Sequence, residues 1–96
     1  MDWQPIHTSI EKVIQTFMGD IVLEEPKGFP WKESNLYMVG KDGKIIWYAA
    51  KPEPNTLFSR VKLNDDGVTF SAYTTGGHAC DLELRTGNLI SQSKMV

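Results

Sequence analysis

The chain has 96 residues, of which 41% are hydrophobic and 23% charged, and its formal net charge is −2. This length suits one domain that buries about 60 to 65% of its unfolded surface, and the composition is that of an ordinary globular protein. Nucleic acid is excluded as a partner, since phosphate binding needs a clustered basic patch and the ten Lys and Arg are spread along the chain. We predict a single domain over residues 1–96.

The compartment is suggested by what the sequence lacks. A single cysteine excludes an internal disulfide, and no charged and then apolar leader opens the chain. The longest uncharged apolar stretches, such as IIWYAA, fall far short of the roughly 18 residues that a membrane helix needs. We therefore expect a soluble, cytoplasmic protein with no membrane partner.

The first segment has the spacing of an amphipathic helix. Its apolar residues fall within about 100° of a helical wheel: Trp3, Ile6, Ile10, Val13, Ile14 and Phe17. Asp2 is one possible start, and the capping box Thr8 to Glu11 is another that gives a shorter helix. Gly19 is the natural stop. The pattern predicts a helix over about residues 3–18 that covers one face of a sheet.

Short extended runs separated by turn signals occupy residues 21–91. They are Ile21 to Glu24, Leu36 to Val39, Lys44 to Ala49, Leu57 to Leu63, Val68 to Thr74, Ala79 to Arg85 and Leu89 to Ser91. The stretches EEPKGFPWKES and KPEPN are loops, because proline cannot lie in a central strand. The expected fold is α+β, with the N-terminal amphipathic helix packed on one antiparallel meander sheet of five or six strands.

Strand register can be predicted from the faces. A loop of Thr75, Gly76 and Gly77, with Gly77 left-handed, sets Phe70 opposite Leu82 and Ala72 opposite Cys80. A loop formed by NDDG sets Val61 opposite Phe70 on the same side. These pairings give one clean apolar face, which the helix is expected to cover.

The stretch NLYMVGKDGKIIWYAA, residues 35–50, predicts a hairpin that is apolar on both sides. Its loop is either Asp42-Gly43 or Lys41-Asp42-Gly43. One side can join the core, but the other must meet the Pro-rich loop before it, another subunit or a ligand, since large exposed apolar patches are uncommon on monomers.

Five aromatic residues cluster in this region and form the predicted binding surface: Phe29, Trp31, Tyr37, Trp47 and Tyr48. Tryptophan and tyrosine are enriched at interface hot spots because they bury large areas and keep a polar tip. The cluster can also complete a small core, form a homodimer surface or bind a partner or ligand.

Few residues suggest chemistry. His78 and Cys80 share one face of a strand, but Cys80 aligns with Leu82 and is interpreted as a small core hydrophobe. With Asp81 or His7 they lack the spacing of metal ligands. The stretch TTGGHA leads into a strand and not a helix, so it is a hairpin turn and not a phosphate loop. We predict no catalytic residue, metal or cofactor, and an enzyme acting through Cys80 ranks last.

The segments NLYMVGKDGKIIW and CDLELRTGNLI resemble those of a group of small bacterial proteins of unassigned function, and the tail is similar to one blade of a quinoprotein-type propeller. The resemblance spans about residues 33–91 and fits an accessory protein of the mobile gene cassette kind. One blade cannot close a propeller, so quinone-cofactor function does not transfer.

These observations favour binding over catalysis. The first hypothesis is a non-catalytic interaction domain that self-associates as a homodimer through the aromatic hairpin. The alternatives are a small inhibitor of the immunity-protein type that binds a toxin, and a small-molecule binding protein.

Overall fold

The computed structural model describes residues 4–95, and within them every regular element is a β-strand. The predicted α+β class is therefore wrong, and the chain is all-β. The strands are β1 (Ile10–Gln15), β2 (Gly19–Glu24), β3 (Leu36–Gly40), β4 (Ile45–Tyr48), β5 (Phe58–Leu63), β6 (Thr69–Thr74), β7 (His78–Glu83) and β8 (Leu89–Lys94).

The strands form two four-stranded antiparallel sheets and not one sheet of five or six strands. Sheet 1 has the order β1-β2-β3-β4, and sheet 2 has the order β5-β6-β7-β8. The break between them falls at the segment with Pro52 and Pro54, since proline lacks the N–H that a sheet ladder requires. The chain leaves β4 there and begins a second meander.

The predicted helix over residues 3–18 is replaced, within the described residues, by an irregular segment with bends at residues 6–8, followed by β1. Ile10, Val13 and Ile14 are β-branched and favour strands. A bulge between Ile10 and Lys12 shifts the alternation by one position, so Ile10 and Ile14 pack on opposite sides of sheet 1. When the apolar residues of one strand pack on both faces of a sheet, their spacing in the sequence can match that of an amphipathic helix. Trp3, which opened the predicted stripe, lies outside the described residues.

Gly19, the predicted helix stop, is instead the first residue of β2. The Thr16 N–H donates to the Gly19 carbonyl at 2.8 Å, and the Thr16 hydroxyl accepts from the Met18 and Gly19 N–H groups at 3.2 and 3.3 Å. Gly19 has a φ of 155°, and a Cβ there would lie 2.3 Å from the Val39 carbonyl oxygen. Only glycine fits this tight turn.

One hydrophobic core lies between the two sheets. The Trp47 ring stacks on Phe70 with centroids 5.3 Å apart and planes 3° apart, and its Nε1 donates to the Leu84 carbonyl at 2.9 Å. Gly87 has a φ of 72°, and a Cβ on it would lie 2.6 Å from the indole. The Trp47 indole of sheet 1 and the backbone of Gly87 in the turn before β8 are thus in close contact.

Asn35 joins the two sheets by hydrogen bonds and is fully buried. Its Nδ2 donates to the carbonyls of Glu24 at 2.7 Å and Phe58 at 2.8 Å, while its Oδ1 accepts from the Phe58 N–H at 2.8 Å. The side chain acts like a short piece of strand between β2 and β5, and it satisfies backbone groups that are buried at this end of the core.

The predicted register is confirmed for the loop after β6. Phe70 pairs with Leu82, Ala72 pairs with Cys80, and Gly77 has a φ of 87°. Before β6 the pairing is shifted, because Val61 lies opposite Ala72 and not opposite Phe70. The shift equals two positions and keeps the same side chains on the core face.

Candidate functional site

The side of sheet 1 that faces away from the shared core, here called the outer face, is apolar. Val22, Tyr37 and Val39 are buried there, and Ile6 and Ile10 pack against them. Residues 4–9, here called the strap, cross this face as an irregular segment that bends at residues 6–8. The strap covers the middle of the second apolar side that the hairpin sequence implied.

Glu24 fixes the strap. Its carboxylate accepts hydrogen bonds from the N–H groups of Ile6 at 2.6 Å, His7 at 3.0 Å and Thr8 at 2.9 Å. The Tyr37 hydroxyl donates to the same carboxylate at 2.5 Å. A buried charge is stable only with such partners, so the arrangement is a preformed anion nest whose anion is part of the chain.

The electrostatics of this pair follow from its burial. Burial raises the pKa of Glu24, but the hydrogen bonds from Tyr37 and from the strap backbone outweigh it and hold the pKa below its usual value. For Tyr37, burial and the adjacent carboxylate both raise the pKa far above its usual range. The pair is an anion and its neutral donor, which is a structural and not an acid-base arrangement.

The Pro-rich loop before β3 is held against the strap. Phe29 is buried and meets the His7 ring edge-on at 5.0 Å, and the His7 Nε2 lies 3.0 Å from a Glu33 carboxylate oxygen. Lys51 Nζ donates to the Trp31 carbonyl at 2.6 Å, and burial lowers the pKa of this amine. The hydrogen bond from Lys51 therefore fixes the backbone at Trp31, while the Trp31 side chain is exposed.

The strap leaves part of this region uncovered. Tyr48 is 52% exposed, Ile46 is 46% exposed and the Trp31 side chain is 55% exposed. The Tyr48 ring lies 6.1 Å from the buried Tyr37 ring, so exposed and covered parts of the outer face are continuous. These three residues are called the β4 patch.

A shallow hollow of about 410 Å³ adjoins the β4 patch. Its lining includes Lys32, Glu33, Ser34 and the Tyr48 side chain. The hollow places one cation and one anion beside an exposed aromatic ring, which is the composition of a protein contact surface with a polar rim.

The structure divides the five predicted site residues. Phe29 and Tyr37 are buried beside the strap, and Trp47, at 7% exposure, belongs to the core between the sheets. Trp31 and Tyr48 remain on the surface. Ile46 was not among the five predicted site residues, although strand alternation places it with Tyr48 on the side opposite Trp47.

Cys80 is buried in the core, as predicted. Burial and the neighbouring Asp81 raise its thiol pKa, which is the opposite of what a nucleophile requires. His78 turns its Nδ1 towards Glu53, whose Oε1 is 3.9 Å away. Residues 4–95 contain no group of three or more His, Cys, Asp or Glu side chains placed to hold a metal.

Comparison with known proteins gives no match to a family model, to a curated protein or to a solved structure. The propeller-blade resemblance therefore stays a prediction. In the described part of the chain no helix is long and apolar enough to cross a membrane. A cytoplasmic location likewise remains a prediction.

Proposed function

We propose that this chain is a non-catalytic interaction domain that self-associates through the β4 patch. The supporting observation is that Ile46 and Tyr48 are about half exposed on the edge strand β4, while residues 36–39 of the neighbouring strand β3 are buried. Large apolar groups that continue a buried face mark contact surfaces more often than scattered exposed ones do.

The charges beside the patch favour a second copy as the partner. Lys32 and Glu33 are adjacent and of opposite sign. A two-fold axis through the patch can set each residue against its opposite on the other copy, so the surface is complementary to itself. A partner of strong single charge would gain nothing from this pair.

The test uses sedimentation equilibrium of the wild type and of the Ile46→Lys variant over a wide concentration range. We expect the wild type to dimerise and the dissociation constant of Ile46→Lys to rise by at least tenfold, which corresponds to about 1.4 kcal/mol. A lysine in the contact would be desolvated without a partner.

Ile90→Lys is the matched control, because Ile90 is 56% exposed on β8 of the other sheet. This variant should dimerise as the wild type does. A wild type that stays monomeric at millimolar concentration, or an equal effect of both variants, would refute the proposal.

A further inference from the structure

A second contact surface follows from the outer edge of β5. This strand is at the edge of sheet 2, and among residues 4–95 the only strand that pairs with it by hydrogen bonds is β6, while β1 and β2 of sheet 1 lie nearby. The Asn64 N–H donates to the Thr69 carbonyl, and Lys62 pairs with Ser71. Because hydrogen-bonding direction alternates along an antiparallel strand, the backbone N–H and C=O groups of Val61 and Leu63 turn away from β6.

Val61 lines a groove of about 460 Å³ beside this edge, here called the β5 groove. Leu23 and Val61 supply apolar lining, and Lys12, Arg60 and Lys62 supply cations. The Lys12 Nζ donates to the Val61 carbonyl at 3.0 Å, the position at which the N–H of an added strand would donate. The lysine amine thus takes one of the hydrogen-bonding positions that the backbone of an added strand would use.

Within residues 4–95 the cations of the groove form no ion pair. Glu11 also lines the groove, yet no carboxylate of the described residues lies within 4.0 Å of the Lys12, Arg60 or Lys62 side chain. The protein has a net charge of −2, so this concentration of positive charge is local. Lysines on a sheet edge also discourage unspecific pairing, which leaves pairing to a strand of opposite charge.

We infer that the β5 groove binds an extended acidic peptide of another protein, which adds to sheet 2 as a strand beside β5. Strand addition supplies main-chain hydrogen bonds at Val61 and Leu63, and the cations select the sequence. Side chains of an added strand alternate between faces. Those on the side of Arg60 and Lys62 should be acidic, and those facing Leu23 should be apolar.

This pattern separates a peptide from other anions. A small anion or a nucleic acid can meet the cations, but neither presents the alternating N–H and C=O groups that pair with the edge of β5. The proposal does not depend on the β4 patch, because β4 and β5 belong to different sheets.

The experiment is a heteronuclear NMR titration with the blocked peptide Gly-Glu-Val-Glu-Val-Glu-Gly. We expect shifts centred on residues 59–63 and, at saturation, exchange of the Val61 and Leu63 amide hydrogens that is slower by about tenfold or more. A peptide with the same composition but its three Glu grouped together should bind more weakly and protect neither amide. The peptide with Lys in place of Glu should not bind.

The double variant Arg60→Glu/Lys62→Glu should no longer bind the Glu peptide and should bind the Lys peptide. The matched control, Lys27→Glu/Lys41→Glu, changes the same charge at two exposed loop positions and should bind as the wild type does. The Tyr48→Lys variant should also keep peptide binding, which separates this result from any failure of self-association.

Three results would overturn the inference. The first is the absence of shifts at residues 59–63, and the second is equal binding of the alternating and grouped Glu peptides. The third is binding without slowed exchange at Val61 and Leu63, which would mean attraction of an anion and no added strand.

Discussion

Replacing Glu24 with glutamine removes the carboxylate that holds the strap on the outer face of sheet 1. The wild-type carboxylate accepts four hydrogen bonds, from the N–H groups of Ile6, His7 and Thr8 and from the Tyr37 hydroxyl. A glutamine oxygen can accept two of them, while its NH₂ group only donates. At least one N–H group of the strap is therefore left without an acceptor.

The expected loss of stability follows from that N–H group. A buried donor without a partner costs about 1–3 kcal/mol, so Glu24→Gln should lower the free energy of unfolding by at least about 1–3 kcal/mol at neutral pH. Domains of this size are stable by about 5–15 kcal/mol, so the loss is large and measurable. Glu11 is an exposed residue of β1, and Glu11→Gln is the control, whose effect should stay within about 0.5 kcal/mol.

The effect depends on pH with a definite sign. The folded-state pKa of Glu24 is below its unfolded value, so its stabilisation is fully present above the unfolded pKa of about 4.3. The stabilisation is lost as the pH falls through the folded-state pKa. Because glutamine does not titrate, the stability gap between wild type and Glu24→Gln should be widest near neutrality and should narrow in acid.

Urea unfolding followed by tryptophan fluorescence measures this gap at neutral pH and at several values below about pH 4. The control variant corrects for the other carboxylates of the chain. A gap that is the same at every pH, or a loss within experimental error of the Glu11→Gln control, would refute the role given to this carboxylate.

Three further predictions concern the core. Asn35→Leu should cost about 3 kcal/mol or more in urea unfolding, because it leaves the buried groups that Asn35 pairs without partners, and a loss below about 1 kcal/mol would contradict the clamp. Gly87→Ala should lower the melting temperature more than Gly67→Ala, since both have positive φ but only Gly87 presses on the Trp47 indole; equal effects would contradict that contact. Cys80 should react with iodoacetamide only after urea is added, and rapid alkylation of the folded protein would contradict its burial.

The hairpins were predictable from sequence because their signals are local. Gly43 and Gly77 have φ values of 84° and 87°, and each closes a predicted turn, with Gly77 left-handed as predicted. In the β3–β4 hairpin the Gly40 N–H donates to the Lys44 carbonyl, which selects the longer of the two predicted loops. The alternation of apolar and polar residues along the strands then predicted most of the strand register.

The N-terminal prediction failed because one bulge changed the period. With Ile10 serving the outer face and Ile14 serving the core, β1 has no simple alternation, and its apolar residues match a helical stripe instead. No residue type marks this bulge in advance, since it depends on the register between β1 and β2.

The division into two sheets was also beyond local reasoning. The contacts that join the sheets, such as Asn35 with Phe58 and Trp47 with Gly87, link residues far apart in the chain. The apolar faces of both meanders look alike in sequence, so one large sheet and two small ones fit the same pattern.

The candidate site was predicted in part for a physical reason that holds. A hairpin that is apolar on both sides did require a second cover, and Glu24 secures that cover in the form of the strap. The strap itself was assigned to a helix, so the sequence reasoning could not tell that Tyr37 is covered while Tyr48 is not.

The most direct test of the account is heteronuclear NMR of the wild type at increasing protein concentration. The central claim is that the β4 patch, the part of this region left uncovered by the strap, binds a second copy of the chain. We expect amide shifts that change with concentration at Ile46, Tyr48 and Trp31, with those of β8 unchanged. Spectra that do not change up to millimolar concentration, or changes confined to β8, would contradict the claim.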